Sequence, residues 1–548
     1  MPNAYQGSQD ERILNTLAAL DRRLQAIEEK LQLPITPAVE YSVPEAPAPV
    51  VRESLEYRIG RSWLPKLGVI VLTLGVMFLL TLPLSLLPAL IANTLGFAIA
   101  GVLLLLSRFW AKSMVEFSRY MSGGAMLLLF FSAMRLHFFS ENPVITDGTV
   151  TFGLLLAIAA VNLFLSVRAR SSYLAALSLA MACAAVLAGP SPWLVLFGNL
   201  GVAGLTVVIV QRYRWLLLLP FGIVMVAFTH FLWGINNPFF TGSMSFVTEP
   251  FAHFAFILLY TLIFGLTAWQ NSTKGAEQNG QIVTSLLNTA MPFLLLFGLS
   301  MASAQDTIGE LHLALSLVFL ALAQAFWIRA NARYATFFYT MAGNLALSVA
   351  IFATFSIPSA FLWLCLQSSL VISLAIWFRS RIIVVANFGI FISILIAYLV
   401  LAPNINGILM VFGIVALLSA RIMNWQKDRL ELQADWLRSS YLLTALFVIP
   451  FALHHMLPGV WVSLSWAGVA LVYYGLSKLL ANLKYRWMAI ATLLMSVLHI
   501  MIIGTTTLEP TYRIISFIGL GIVLLAVSLW YFKTGSRGGN ETASSPNT

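Results

Sequence analysis

The sequence predicts an all-α, polytopic integral membrane protein of about eighteen transmembrane helices arranged as serial helical hairpins. Three observations predict it. Of 548 residues, 59% are apolar and only 9% charged, against about 25% charged in an ordinary soluble domain. Runs of eighteen or more apolar residues recur along nearly the whole length. Each is long enough, at about 1.5 Å per residue, to cross a hydrocarbon core of about 30 Å. Lysine and arginine, finally, collect in alternate loops. The ten-residue alternating segments of a membrane β-barrel are absent.

The chain divides by composition. In residues 1–33, Ile13, Leu17, Leu20, Leu24, Ile27 and Leu31 follow spacings of four and three, the a/d seam of a coiled coil, with charged residues around it. A seam of this length is marginal alone, so residues 13–31 are expected to form a homo-oligomer contact or to dock on their own protein. Residues 34–53, with prolines at 34, 37, 44, 47 and 49, read as a tether. The multi-span domain follows over 54–532, and 533–548 are polar and expected to be disordered. Charges spread over sixty residues before the first apolar run leave no signal-peptide pattern, so the first span is expected to remain uncleaved. Cys183 and Cys365 lie inside apolar runs and read as small core residues.

The eighteen spans are expected to begin near Trp63, Ser85, Phe117, Thr149, Ser172, Pro192, Trp215, Phe251, Ile282, Glu310, Tyr334, Pro358, Arg381, Asn406, Ser439, Gly459, Tyr485 and Tyr512. Basic residues are retained on the cytoplasmic side during insertion, whereas acidic ones obey no such rule. With the N-terminus inside, 29 of the 31 Lys and Arg fall on the inner side, and only Arg135 and Arg513 fall outside. An error in the number of spans would invert the bias of every later loop. The alternation therefore predicts both the count and cytoplasmic termini. In "SLEYRIGRSWLPKLG", Arg52, Arg58, Arg61 and Lys66 hold the first helix at the anionic leaflet, with Trp63 at the interface.

Outer loops are often proline-containing turns, and inner ones carry paired basic residues. The hairpin spacing hints at internal duplication, with "RYRWLLLLPFG" at Arg212 and "KYRWMAIATLL" at Lys484 the best matching pair. The inner loop from Arg421 is long enough for a surface-lying helix with Ile422, Trp425, Leu432 and Trp436 facing lipid.

A charge at the bilayer centre is expensive and marks an ion or proton path. No Asp, Glu, Lys or Arg sits at mid-span here, which argues against an ion-coupled transporter with buried carboxylates. Nearer the midplane are the amides Asn199, Asn344 and Gln367, expected to hydrogen-bond neighbouring helices. All seven histidines map to outer loops or outer thirds of spans. His230, His253, Glu310, His312, His454, His455 and His499 therefore form a candidate outer-face set that could do acid/base work, coordinate a metal or sense pH if it converges. The alternative is that imidazoles are interface residues. Glu310 and His312 stand about 200° apart on an ideal helix, a poor ligand pair. No phosphate-binding, metal or nucleophile motif is present: Gly-x-x-x-x-Gly-Lys, Cys-x-x-Cys and Gly-x-Ser-x-Gly are all missing. No catalytic residue, metal or cofactor is assigned. Multi-span glycosyltransferases acting on lipid-linked sugars carry an acidic residue in the first outer loop, but "LPLSLLP" is uncharged. Basic residues spread over many loops reflect topology, so the expected partner is the lipid bilayer and not nucleic acid.

Glu56, Ile59, Gly60, Trp63, Leu64 and Gly68 form a Glu-x-x-Ile-Gly-x-x-Trp-Leu-x-x-x-Gly segment after a coiled coil and a proline-rich tether. "SGGAMLLLFFSAMRL" from Ser122 and "RARSSYLAALSLA" from Arg168 follow. In these features the chain resembles a bacterial family of large predicted multi-pass membrane proteins of unknown function. The resemblance implies a protein of the bacterial inner membrane and brings no catalytic residues with it. Three functions stand as expectations: a carrier or flippase-like conduit for a neutral or amphipathic envelope substrate, an envelope enzyme using the outer His and Glu residues, and a scaffold recruiting partners through the coiled coil.

Overall fold

The computed structural model describes residues 89–138, 143–235, 250–272, 278–425 and 435–504, with Thr73, Ile518 and ten residues between 16 and 30. Residues 73–548 form one compact unit and residues 1–72 another. In the smaller unit the described residues are helical, and the seam residues Leu20 and Ile27 are exposed.

Among the described residues of the larger unit there are sixteen α-helices and no strand. They are α1 (Ala89–Trp110), α2 (Val115–Arg135), α3 (Gly148–Arg168), α4 (Ser172–Leu187), α5 (Pro192–Tyr213), α6 (Leu218–Gly234), α7 (Pro250–Gln270) and α8 (Asn279–Ser303). After a 3-10 turn follow α9 (Ile308–Ala330), α10 (Arg333–Thr354), α11 (Ser359–Trp377), α12 (Arg381–Leu401), α13 (Gly407–Trp425), α14 (Asp435–Met456), α15 (Gly459–Leu479) and α16 (Leu483–His499). Each begins within four residues of an expected start. The first and last expected spans, near Trp63 and Tyr512, lie outside the described residues, as do the tether, the tail and residues 426–434. Eleven of the helices are long and apolar enough to cross a membrane, whereas α4 and α6, with 16 and 17 residues, are short.

The surface-helix expectation is corrected in part. Ile422 and Trp425 belong to the last turn of α13 and Trp436 to the first turn of α14, so these residues extend the long helices. The paired "RYRW" and "KYRW" segments are not equivalent either. Arg214 is a left-handed residue ending α5, while Lys484–Trp487 is the regular first turn of α16. This pair is no support for duplication.

A different repetition is real. Three helix connections, after α3, α11 and α15, turn on one residue in the left-handed region: Arg170 (φ 49°), Arg379 (φ 48°) and Ala481 (φ 48°). In each, the next residue's N–H reaches back to a carbonyl five residues earlier: Ser171 to Ser166, Ser380 to Ala375 and Asn482 to Ser477. This bond pattern satisfies carbonyls that the helix end leaves without partners. Ser171 and Asn482 then cap the following helix by accepting from Leu174 N and Lys484 N. One tight turn thus ends a helix and starts its neighbour.

Helices adjacent in sequence pack closely across such turns, as in α3 with α4, α11 with α12 and α15 with α16. The packing is not only serial, because α6 also meets α8, α8 meets α10, and α11 meets α13. Two large apolar cores result. One is built from α2 to α7 around Leu155, Leu179 and Val210, and the other from α7 to α16 around Phe319, Phe391 and Phe412. α7 contributes to both, through Phe256 and Tyr260 on one side and Phe254 and Ile257 on the other.

Candidate functional site

The candidate histidines do not converge on one centre. Each lies towards the end of its helix opposite the basic turn, but they settle in separate places. His230 near the end of α6 and His253 near the start of α7 form one pair, with Nε2 and Nδ1 3.1 Å apart. Both rings are buried, and Trp233 stacks on His253 with centroids 4.5 Å apart. His230 Nδ1 and His253 Nε2 have no partner among the described residues.

A second group gathers where α14 and α16 end and α15 begins. The His454 and His499 rings lie 5.6 Å apart, and His455 lies 5.4 Å from His454. Ser463 Oγ is 2.8 Å from His499 Nδ1, and Trp466 packs on the same imidazole. A cavity of about 410 Å³ opens beside them, lined by His454, His499, Trp466, Pro450 and Met495 among others.

His312 stands apart. Its Nδ1 is 2.9 Å from the carbonyl of Ile308, one turn earlier, and Phe293 and Phe297 flank the ring. Glu310 is exposed on the other side of the same helix, as helical geometry requires. His137 is tied to the carbonyl of Ile145 at 2.8 Å. Among the described residues no three His, Cys, Asp or Glu side chains are grouped as a metal would need.

A site larger than the histidine cavity is one that sequence reasoning passed over. Between α8, α10, α11 and α12 runs a cavity of about 560 Å³, within the range of small-molecule sites. Its walls are apolar, and Leu294, Leu345, Phe352 and Ile390 on its rim are exposed, so it opens sideways from the bundle. Its floor is polar. Gln367 in the middle of α11 donates from Nε2 to the Asn344 carbonyl in the middle of α10, at 2.7 Å. Ser348 donates to Gln367 Oε1 at 3.1 Å. Asn387 on α12 lies 2.9 Å from Ser368 Oγ on α11. None of the residues lining the cavity is charged.

Two of the three expected amides bridge helices, Gln367 and Asn199, the latter reaching the Val226 carbonyl at 3.0 Å, whereas Asn344 Nδ2 donates to the Thr340 carbonyl of its own helix at 2.8 Å. A single sequence shows an amide at mid-span, but not that three of them and two serines line one face of one groove. An uncharged polar strip beneath apolar walls can hold a molecule that is itself mostly apolar with a few hydrogen-bonding oxygens. It presents no opposite charge to a bare ion.

No known protein family, curated protein or solved structure matches this chain.

Proposed function

We propose that the chain is a protein of the bacterial inner membrane, with both termini cytoplasmic, that carries a neutral or amphipathic envelope molecule such as a lipid or lipid-linked glycan. The observation that carries this reading is the groove between α8, α10, α11 and α12. Its apolar walls match an acyl or prenyl chain, its rim opens where lipid would lie, and its Asn344, Gln367 and Asn387 floor offers hydrogen bonds without charge. A charge carried into hydrocarbon is costly without an opposite charge to pair with. None lines the groove, which favours cargo without charge in the part that passes this point. The exposed Leu20 and Ile27 fit a role of residues 13–31 in joining copies of the chain.

The test is reconstitution of the full chain in liposomes holding a fluorescent lipid in both leaflets, with bleaching by an impermeant reductant. Transport takes bleaching past the outer leaflet. Ala342→Trp, which fills the groove, is expected to stop it, whereas Val161→Trp on an exposed face of α3 leaves it intact. Protein-free behaviour with phospholipid, prenyl phosphate and glycolipid probes alike would defeat the proposal.

A second reading, an envelope enzyme, is favoured by one geometry: the Ser463 hydroxyl at 2.8 Å from His499 beside the 410 Å³ cavity. A hydroxyl paired with an imidazole is the beginning of a nucleophile and base. Loss of a cellular phenotype in Ser463→Ala and His499→Gln, with transport retained, would favour it over carriage.

A further inference from the structure

At the basic end of the bundle, α1 to α4 enclose a second groove of about 570 Å³. Its deep part is apolar, formed by Leu104, Leu105, Met126 and Leu165. At its mouth stand Arg108, in the last turn of α1, and Arg168, the last residue of α3. Both guanidiniums are exposed, neither takes part in an ion pair among the described residues, and no acidic side chain lines the groove. At the same level Ser107 and Ser122 line the floor, their hydroxyls 2.5 Å apart, with Ser118 tied to Ser107 through both its hydroxyl and its carbonyl. This hydroxyl knot fastens α1 to α2 and makes a wettable step between the apolar depth and the two cations.

We infer that this groove binds one anionic diacyl phospholipid of the leaflet at the basic helix ends, phosphate to Arg108 and Arg168 and an acyl chain along Leu104, Leu105 and Leu165. The argument is charge complementarity at the right depth. Two like charges at one mouth repel unless an anion sits between them. A phosphodiester suits guanidinium because its oxygens accept paired hydrogen bonds. Gly101 and Arg108 are about two turns apart on α1, so the groove floor runs about 10 Å below the cations, into acyl territory. A basic pocket between transmembrane helices is the form that lipid head-group sites take. At Gly101 a Cβ would meet nothing within 4 Å, so the groove wall is open there and a larger side chain can enter the space. This site is separate from the groove proposed for cargo and holds whether or not the protein transports anything.

The experiment is native mass spectrometry of the full chain in a neutral detergent supplied with equal phosphatidylglycerol and phosphatidylcholine. Wild type is expected to retain one phosphatidylglycerol in preference. Arg108→Gln/Arg168→Gln should lose it by about tenfold or more, as removal of two cations near a membrane surface implies. Gly101→Phe, which fills the acyl part with both arginines in place, should lose it as well. Arg379→Gln, in a different basic turn, should not. Circular dichroism and melting curves confirm that each variant is folded. Equal retention of the two lipids by wild type, retention unchanged in the double variant or in Gly101→Phe, equal loss in Arg379→Gln, or displacement by millimolar inorganic phosphate would each overturn the inference.

Discussion

Asn387 on α12 and Tyr441 on α14 meet inside the bundle with the amide nitrogen 3.1 Å from the phenolic oxygen. The same amide also serves Ser368 on α11, so one side chain ties three helices. Asn288 on α8 repeats the device with Tyr339 on α10, at 2.8 Å, while also donating to the Thr261 carbonyl on α7. Without water to compete, such bonds fix which helices are neighbours. Their net worth in membrane proteins is still modest, about 0.6 to 2 kcal/mol.

Asn387→Leu and Tyr441→Phe should therefore each lower stability by about 1 kcal/mol, and the double variant by less than the sum of the two. Unfolding free energies in mixed micelles check this. Strict additivity would mean that the pair is not coupled.

Gly413 on α13 allows close packing on α14, because a Cβ there would overlap Ile449. Gly413→Ala should cost about 1 to 3 kcal/mol as overpacking. Gly468 on α15 has open space around the same position, so Gly468→Ala should be neutral or stabilise by up to about 1 kcal/mol through helix propensity. The comparison of the two melting shifts is the measurement, and equal shifts would contradict the packing.

His253→Phe keeps a ring against Trp233 but leaves His230 Nε2 buried without its partner at 3.1 Å. It should destabilise by about 1 to 3 kcal/mol. Replacing both histidines by Phe removes the stranded polar atom and should cost less than twice as much. A double variant at least as damaging as the sum of the single ones would show that the two rings do not act as a pair.

The basic turns should face one compartment. In a background where the buried Cys183 and Cys365 are replaced by serine, a single cysteine at Arg170, Arg379 or Ala481 should react with an impermeant maleimide only after the cytoplasmic side is opened. One at Ser191 or Gln305, in turns at the opposite helix ends, should react in intact cells. Labelling of position 170 from outside would reverse the orientation on which the proposed direction of the chain depends.

What the sequence alone determined is the helices. Hydropathy and length are local properties, and in hydrocarbon each backbone donor and acceptor must be satisfied within its own segment. The starts of sixteen helices could therefore be placed to within four residues, and Glu310 and His312 could be placed on opposite sides of α9. The arithmetic that put seven histidines at one set of helix ends was legible for the same reason. Whether His230 faces His253 or His499 was not. That is decided by lateral packing, where a Gly413 or a Gly222 sets how closely two helices approach, and lipid tails are as apolar as the side chains they replace. The hydrophobic pattern is then uniform around each helix and names no neighbour. So the tertiary structure alone gathered Asn344, Gln367 and Asn387 onto one groove floor, and divided the histidines among separate sites.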